Sequence, residues 1–212
     1  MNDLLKSAKA IEETIVKDRR TIHQNPELGN DLPQTTRYIM DRLTEMGYEP
    51  KEICKSGVVA TVGKPGKTIL LRADTDALRM PEKSGLPFAS QNPEAAHTCG
   101  HDTHAACLLV LARILSEHPD LVKGTVKFIF QAAEEKLPGG AKALCADHAL
   151  DGVDMVFGMH SSSNHPLGTI TLSHSSSSAA IGIYEVAIHG KGGHGSSPHN
   201  AKNPVPVACL LA

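Results

Sequence analysis

Eight consecutive residues, His97-Thr98-Cys99-Gly100-His101-Asp102-Thr103-His104, hold a thiol, three imidazoles and a carboxylate. A packed core has no use for that many polar, ligand-type groups in one run. A second polar cluster follows at Gln131-Ala132-Ala133-Glu134-Glu135, and a third at Gly158-Met159-His160. Cys99 and His101 stand two apart, and Gly100 between them eases the turn that brings both side chains to one ion. A thiolate beside an imidazole suits Zn²⁺, Co²⁺, Ni²⁺ or Mn²⁺, in decreasing order of softness. Glu135 and His160 complete a set of four ligands. Adjacent glutamates at a strand end project in different directions. One can bind metal while the other meets water whose pKa the metal lowers from about 15.7 towards ~7. The second carboxylate then collects that proton and delivers it to a leaving amine.

Other chemistries compete for the same residues. Cys99 with His101 is also a nucleophile and a base, but residues two apart place a base poorly on a thiol, and no Asn or Asp orienter is implied. His104, one turn beyond His101, stands either behind a ligand or on a helix face. His23, His118 and His148 read as surface or helix-end residues. Cys54, Cys107, Cys145 and Cys209 read as plain buried or half-buried thiols. The run Gly190-Lys191-Gly192-Gly193-His194 lacks the Lys-Ser/Thr ending of a phosphate loop.

The elements that must position these groups show in the apolar spacing. Leu4, Ala8, Ile11, Ile15 and Ile22 mark one helix face, ended by Asn25-Pro26 and Gly29-Asn30. A second helix runs from Pro33 to Gly47, with Tyr38, Ile39, Leu43 and Met46 as its buried stripe. Strands are expected at Gly57 to Val62, Thr68 to Ala73, Val126 to Phe130 and Val153 to Met159. A long helix runs from His101 to Glu117, and a short one opens at Gly139-Gly140 and reaches Ala149. Strands alternating with helices argue for an α/β fold with a largely parallel sheet covered on both faces. Asp74, Asp76, Glu134, Glu135 and His160 all follow the C-terminal ends of predicted strands, where open α/β sheets place their sites. Beyond Ser173 the chain turns Ser-rich, and the boundary near Ser175 divides residues 1–174 from 175–212. A strand over Gly182 to His189 and the first turns of a helix from Asn203 are expected in this last part.

The totals exclude several classes. A formal net charge of −2 gives no electrostatic reason to bind nucleic acid. The longest apolar stretch, Ala105 to Leu115, is interrupted by Arg113 and is too short to span a bilayer. Five scattered Cys, an odd number, do not form a disulfide framework, and the N-terminus shows no signal peptide pattern. A reducing cytoplasm is the simplest setting.

Six stretches in order resemble the M20 metallopeptidase family, in its amidohydrolase branch. They are Arg20 to Leu28, Leu71 to Leu78, His97 to His104, Phe130 to Glu135 with Gly139 to Ala141, Gly158 to His160, and Gly190 to His194 with Pro198-His199. The resemblance implies a zinc-peptidase-like catalytic domain followed by the start of a smaller α+β lid or dimerisation domain. It implies two divalent ions (Zn, Mn, Co or Ni), with Cys99, His101, Glu135 and His160 at metal-ligand positions and Glu134 as general base. Asp74 matches the carboxylate behind a ligand, with Asp76 a second candidate. His194 matches a lid histidine that polarises the scissile carbonyl in the partner subunit of a homodimer. The implied reaction is hydrolysis of a small N-acyl amino acid to a carboxylate and an amino acid. Asn203 stands where the family usually has Asp, and either residue caps a helix. The chain is about half the family's length and reads as ending inside the lid, without the last His ligand. An inactive fragment with a residual metal- or partner-binding role is the competing reading.

Overall fold

The computed structural model describes residues 2–173, 176 and 178–211. Ser175, where the sequence places the domain boundary, lies outside the described residues. Contacts group the chain into two units, Met1–Asn164 and His165–Ala212.

The first unit opens with α1 (Asn2–Ala10) and α2 (Glu12–Gln24). The single helix expected over Leu4 to Ile22 is therefore broken at Ile11, whose φ of −111° and ψ of 19° leave the helical range. Polar anchoring accounts for the break better than the apolar stripe does. Buried Asp18 of α2 accepts hydrogen bonds from Tyr38 Oη at 2.6 Å and Arg42 Nε at 2.9 Å, both on α3 (Pro33–Glu45). Ser7 of α1 instead pairs with His118 at 3.2 Å. The predicted α3 stripe is observed: Ile39 and Leu43 are buried, and Tyr38 and Met46 pack partly buried against the same core.

The sheet contains β1 (Lys51–Ile53), β2 (Gly57–Gly63), β3 (Thr68–Asp74), β4 (Thr125–Gln131) and β5 (Met155–Gly158), in the order β1-β2-β4-β3-β5. β4 is parallel to β3, and β3 to β5, but β1–β2 and β2–β4 are antiparallel. The sheet is thus mixed, with its parallel part confined to β4, β3 and β5. Strand β1 was not visible in the residue pattern because it is three residues long and largely exposed.

Alternation along the strands builds one core on each face. Val58, Ala60, Ala73, Val126, Phe128 and Phe130 pack with Ile22, Ile39, Leu43 and with Leu108, Leu109 and Ala112 of α4 (His101–Glu117). Tyr48 meets Phe128 edge to face at 5.6 Å and donates its hydroxyl to Ala112 O at 2.7 Å, which satisfies the one polar atom of a buried ring. On the opposite face Leu70 and Ile129 pack on Leu144 of α5 (Gly140–Ala146). α5 stops three residues short of the expected Ala149. His148 takes a left-handed φ of 60°, and Ala149 N–H returns to Leu144 O at 3.0 Å, the Schellman closure. His148 and His118 are accordingly helix-end residues, as read.

The register brings the chemistry to one edge. Asp74 pairs with Gln131 and Arg72 with Gly158, so β3, β4 and β5 finish side by side. Asp76, Glu134 and His160 leave the sheet just beyond those ends.

In the second unit, Lys191 and Lys202 exchange backbone hydrogen bonds of 2.9 Å, and α6 (Val205–Leu211) follows. Asn203 Oδ1 accepts the Val205 N–H at 3.0 Å, as its capping role requires. The strand expected over residues 182–189 is absent: Ile183 and Val186 are exposed, and no described strand pairs with this stretch. An isolated apolar alternation does not hold a strand without a neighbouring ladder.

Candidate metal centre

Gly100 makes the turn that presents Cys99 and His101. Its φ of 84° lies in the left-handed region that favours glycine, and a Cβ there would displace the Ser161 hydroxyl. α4 starts immediately after it, with His101 wholly buried at the first helical position.

His101 is the hub. Its Nε2 lies 3.7 Å from Glu135 Oε1 and 3.8 Å from Glu134 Oε2, and its Nδ1 lies 3.6 Å from Asp76 Oδ1. Neither ring nitrogen makes a hydrogen bond among the described residues. Burial alone depresses the His101 pKa, but Asp76, Asp74 and Glu135 in sum outweigh it and raise it. A buried imidazole with one nitrogen facing carboxylates and the other backed by an aspartate has the layout of a metal-ligating histidine.

Cys99 Sγ lies 3.4 Å from His160 Nε2. The other His160 nitrogen, Nδ1, donates to Ser161 O at 2.7 Å, which leaves the Nε2 lone pair facing the thiol. Burial, then Glu135, Glu134 and Asp74, push the Cys99 thiol up to about 12. A thiol nucleophile needs the opposite field, so the Cys–His hydrolase reading loses its footing. A cation among these groups would stabilise the thiolate.

Ligand-type atoms come within 4.8 Å of one another in three sets: Cys99, His101 and His160; His101, Glu134 and Glu135; and Asp74, His101 and His104. The first two share His101 and contain every position assigned to metal by resemblance. In the third, His104 and one Asp74 oxygen are already engaged by hydrogen bonds. His104 Nδ1 donates to Asp74 Oδ1 at 2.5 Å, and His104 Nε2 accepts the Ser161 N–H at 2.8 Å. The acceptor role of Nε2 fixes the proton on Nδ1. His104 is therefore a strut between β3 and the residue that follows His160, which settles the choice the sequence left open.

Asp74 is buried. Burial raises its pKa, but the His104 hydrogen bond and the charge of Arg72, at 2.8 Å, hold the carboxyl down at about 2. Asp76 accepts the backbone N–H groups of Glu134 at 2.9 Å and Glu135 at 3.1 Å.

A neighbouring polar network was missed at the level of sequence. His23 is a helix-end residue but not a surface one: it is buried, with Nδ1 2.7 Å from Asp102 and Nε2 3.2 Å from Glu82. Arg19 Nε reaches the same Asp102 oxygen at 2.7 Å. Glu27 accepts the N–H groups of Gln34 and Thr35 at the start of α3. The signal was present, since His23 and Glu27 both lie in the Arg20 to Leu28 stretch. His194 belongs to the second unit, where it is exposed and its Nδ1 lies 2.8 Å from Ser196 Oγ.

Residues 70–208 match the model of peptidase family M20/M25/M40. The chain belongs to that family. It is 40% identical to thermostable carboxypeptidase 2 of Saccharolobus solfataricus, a match that covers 99% of this chain and 54% of the relative. It is 41% identical to the hippurate hydrolase of Campylobacter jejuni, over 92% of this chain and 51% of the relative. The chain thus spans about half the length of the curated relatives it matches. Among solved structures, the Bacillus subtilis YXEP protein, described as a dinuclear metal binding peptidase of the M20 family, matches with a TM-score of 0.75 and 39% identity. That match covers 78% of this chain and 47% of the other. The two relatives carry the names of a carboxypeptidase and a hydrolase, and the solved neighbour that of a metal-binding peptidase. No helix among the described residues is long and apolar enough to cross a membrane.

Proposed function

We propose that this chain carries the metal centre and general base of an amidohydrolase that cleaves N-acyl amino acids. The observation that carries this reading is the pair of ligand-type groups sharing His101, one holding Cys99 and His160, the other both glutamates. A divalent ion, or a pair of them, supplies Lewis-acid activation of water and of the scissile carbonyl when bound. Cys99, His101, Glu135 and His160 are the residues that hold it. Glu134, the more exposed of the two carboxylates, takes a proton from the attacking water. It then gives that proton to the leaving nitrogen as the C–N bond breaks. Asp74 keeps His104, and through it Ser161 and His160, in place. We assign residues 1–174 to the catalytic part and 175–212 to the beginning of a lid or dimerisation part. His194 is assigned to polarising the carbonyl in a partner protomer. A cytoplasmic setting suits a free thiol ligand.

The names of the relatives support amide hydrolysis and differ in the acyl group, so the acyl group is left open. Binding of metal or of a partner without turnover is the second reading, which the ligand-type groups around His101 would serve equally. The test is hydrolysis of N-acetyl and N-benzoyl amino acids by the protein loaded with Zn²⁺, Mn²⁺, Co²⁺ or Ni²⁺. The amidohydrolase reading predicts turnover that a chelator abolishes and that Glu134→Gln lowers by about 10²–10⁴-fold. Turnover indifferent to chelator but stopped by thiol alkylation contradicts it. Metal uptake without turnover by the 212-residue chain selects the second reading.

A further inference from the structure

His23 joins two segments that meet nowhere near each other in sequence. Its ring is buried, with Nδ1 2.7 Å from Asp102 Oδ2 and Nε2 3.2 Å from Glu82 Oε1. A carboxylate oxygen only accepts, so the ring donates from both nitrogens. Arg19 Nε donates to the same Asp102 oxygen at 2.7 Å, so two cationic groups answer two carboxylates. Arg19 Nη2 also stands 3.3 Å from His23 Nδ1, but a nitrogen that donates to Asp102 has no lone pair left for it. Asp102 follows His101 in the first turn of α4. Glu82 belongs to a loop: Leu78 and Ala96 exchange backbone hydrogen bonds of 3.1 and 3.0 Å, which closes residues 79–95 on themselves. Inside that loop Glu82 accepts the Ser90 N–H at 2.5 Å and the Ser84 hydroxyl. The loop also lies on α2, where Gln91 N–H donates to Gln24 O at 2.8 Å and the Phe88 ring meets Arg20 at 4.5 Å and His23 edge-on at 5.7 Å. The span from His97 to His101, which carries Cys99, runs between the closure of this loop and Asp102.

We propose that His23 is a positioning residue: by joining Glu82 of the loop to Asp102 of α4, it braces both ends of the span that carries Cys99 and His101. This rests on the metal-centre reading above and goes beyond it. His23 is no ligand. It acts by holding the Cys99-Gly100-His101 turn in order, so that the thiol and the imidazole reach one ion without the chain being ordered at that moment. Glu135 and His160 lie on other segments and are not braced by it.

His23→Gln, Glu82→Gln and the double variant test the brace. A glutamine at 23 has its donors on one atom and cannot serve both carboxylates, and a glutamine at 82 keeps the volume but loses the charge that meets the ring. Co²⁺ titration of the 212-residue chain, followed by its absorption spectrum, reads the affinity and, in the thiolate-to-cobalt band, the engagement of Cys99. Each single substitution is expected to weaken Co²⁺ binding about tenfold and to lower the thiolate band of the loaded protein, which a general loss of stability would leave unchanged. The double variant is expected to bind no more weakly than either single one, because the same join is lost only once. Dissociation constants within about twofold of the unaltered chain with an unchanged thiolate band, or losses that simply add, overturn the brace and leave the metal-centre reading intact. Absence of Co²⁺ binding by the unaltered chain overturns both. If circular dichroism shows that the variants do not fold, amide hydrogen exchange on the unaltered chain decides. Protection of the Ser90 and Ala96 N–H groups at the level of the first turn of α4 supports the brace; exchange at open-loop rates overturns it.

Discussion

Gly100 and His97 carry the sharpest expectations at the scale of single residues. Gly100→Ala places a methyl group against Ser161 and forces alanine to φ of 84°. A loss of about 1–3 kcal/mol is expected in urea unfolding, accompanied by weaker metal binding, because Ser161 follows His160. An alanine variant as stable as the parent contradicts the close approach. His97 is buried, and neither of its ring nitrogens has a hydrogen-bond partner among the described residues. Burial lowers its pKa to about 4, against a raising pull from Asp102. Well above the unfolded pKa of about 6.5 the ring is neutral in both states and contributes nothing to pH dependence. As pH falls towards 4, the unfolded chain takes up a proton that the folded ring refuses, and stability drops by up to about 3 kcal/mol. His97→Leu flattens that part of the profile; an unchanged slope between pH 6.5 and 4 refutes the assignment. Ligand-type residues were legible because a thiol, imidazoles and carboxylates crowd into short runs at strand ends. His23, Asp102 and His104 were not assigned a role, because a lone histidine on a helix carries no pattern until its partner, 30 or 79 residues away in sequence, is placed beside it.

Elements position the site through a small number of ties. Glu27 accepts two N–H groups at the start of α3, and its own carbonyl accepts Ala77 N–H at 2.8 Å, one residue beyond Asp76. Glu27→Ala is expected to cost about 1 kcal/mol as a lost helix cap, seen as a lower urea midpoint; no change contradicts the capping role. Phe128, wholly buried at the centre of β4, packs the larger core. Phe128→Ala is expected to cost about 3–5 kcal/mol, measured in the same way. Helices α3 and α4 and strands β2 to β4 were readable from periodicity, since each buries one face or sits between two cores. Strand order was not readable. β2 and β3 are joined by a short turn, yet β4 lies between them, and the antiparallel pairs β1–β2 and β2–β4 make the sheet mixed. The break at Ile11 was hidden because the apolar stripe continues across it while buried Asp18 decides where α2 sits. Residues 182–189 alternate like a strand, but the alternation states a preference that pairing must complete.

At the scale of the whole molecule, the chain is a member of the M20 family whose first unit gathers the ends of three neighbouring strands and the start of one helix into an acidic, thiol-containing cluster. Fold class was legible because the motifs sit where an α/β sheet places its site. The acyl specificity was not, because no residue in the six stretches distinguishes one acyl group from another. In the proposed centre Cys99, His101, Glu135 and His160 hold a divalent ion. X-ray absorption at the zinc edge on the zinc-loaded chain reads those ligands. The expected spectrum has one Zn–S distance of about 2.3 Å with the remaining ligands near ~2.0 Å, the sulfur shell vanishing in Cys99→Ser. A zinc spectrum with oxygen and nitrogen ligands only, indifferent to Cys99→Ser and His160→Ala, contradicts the proposed centre.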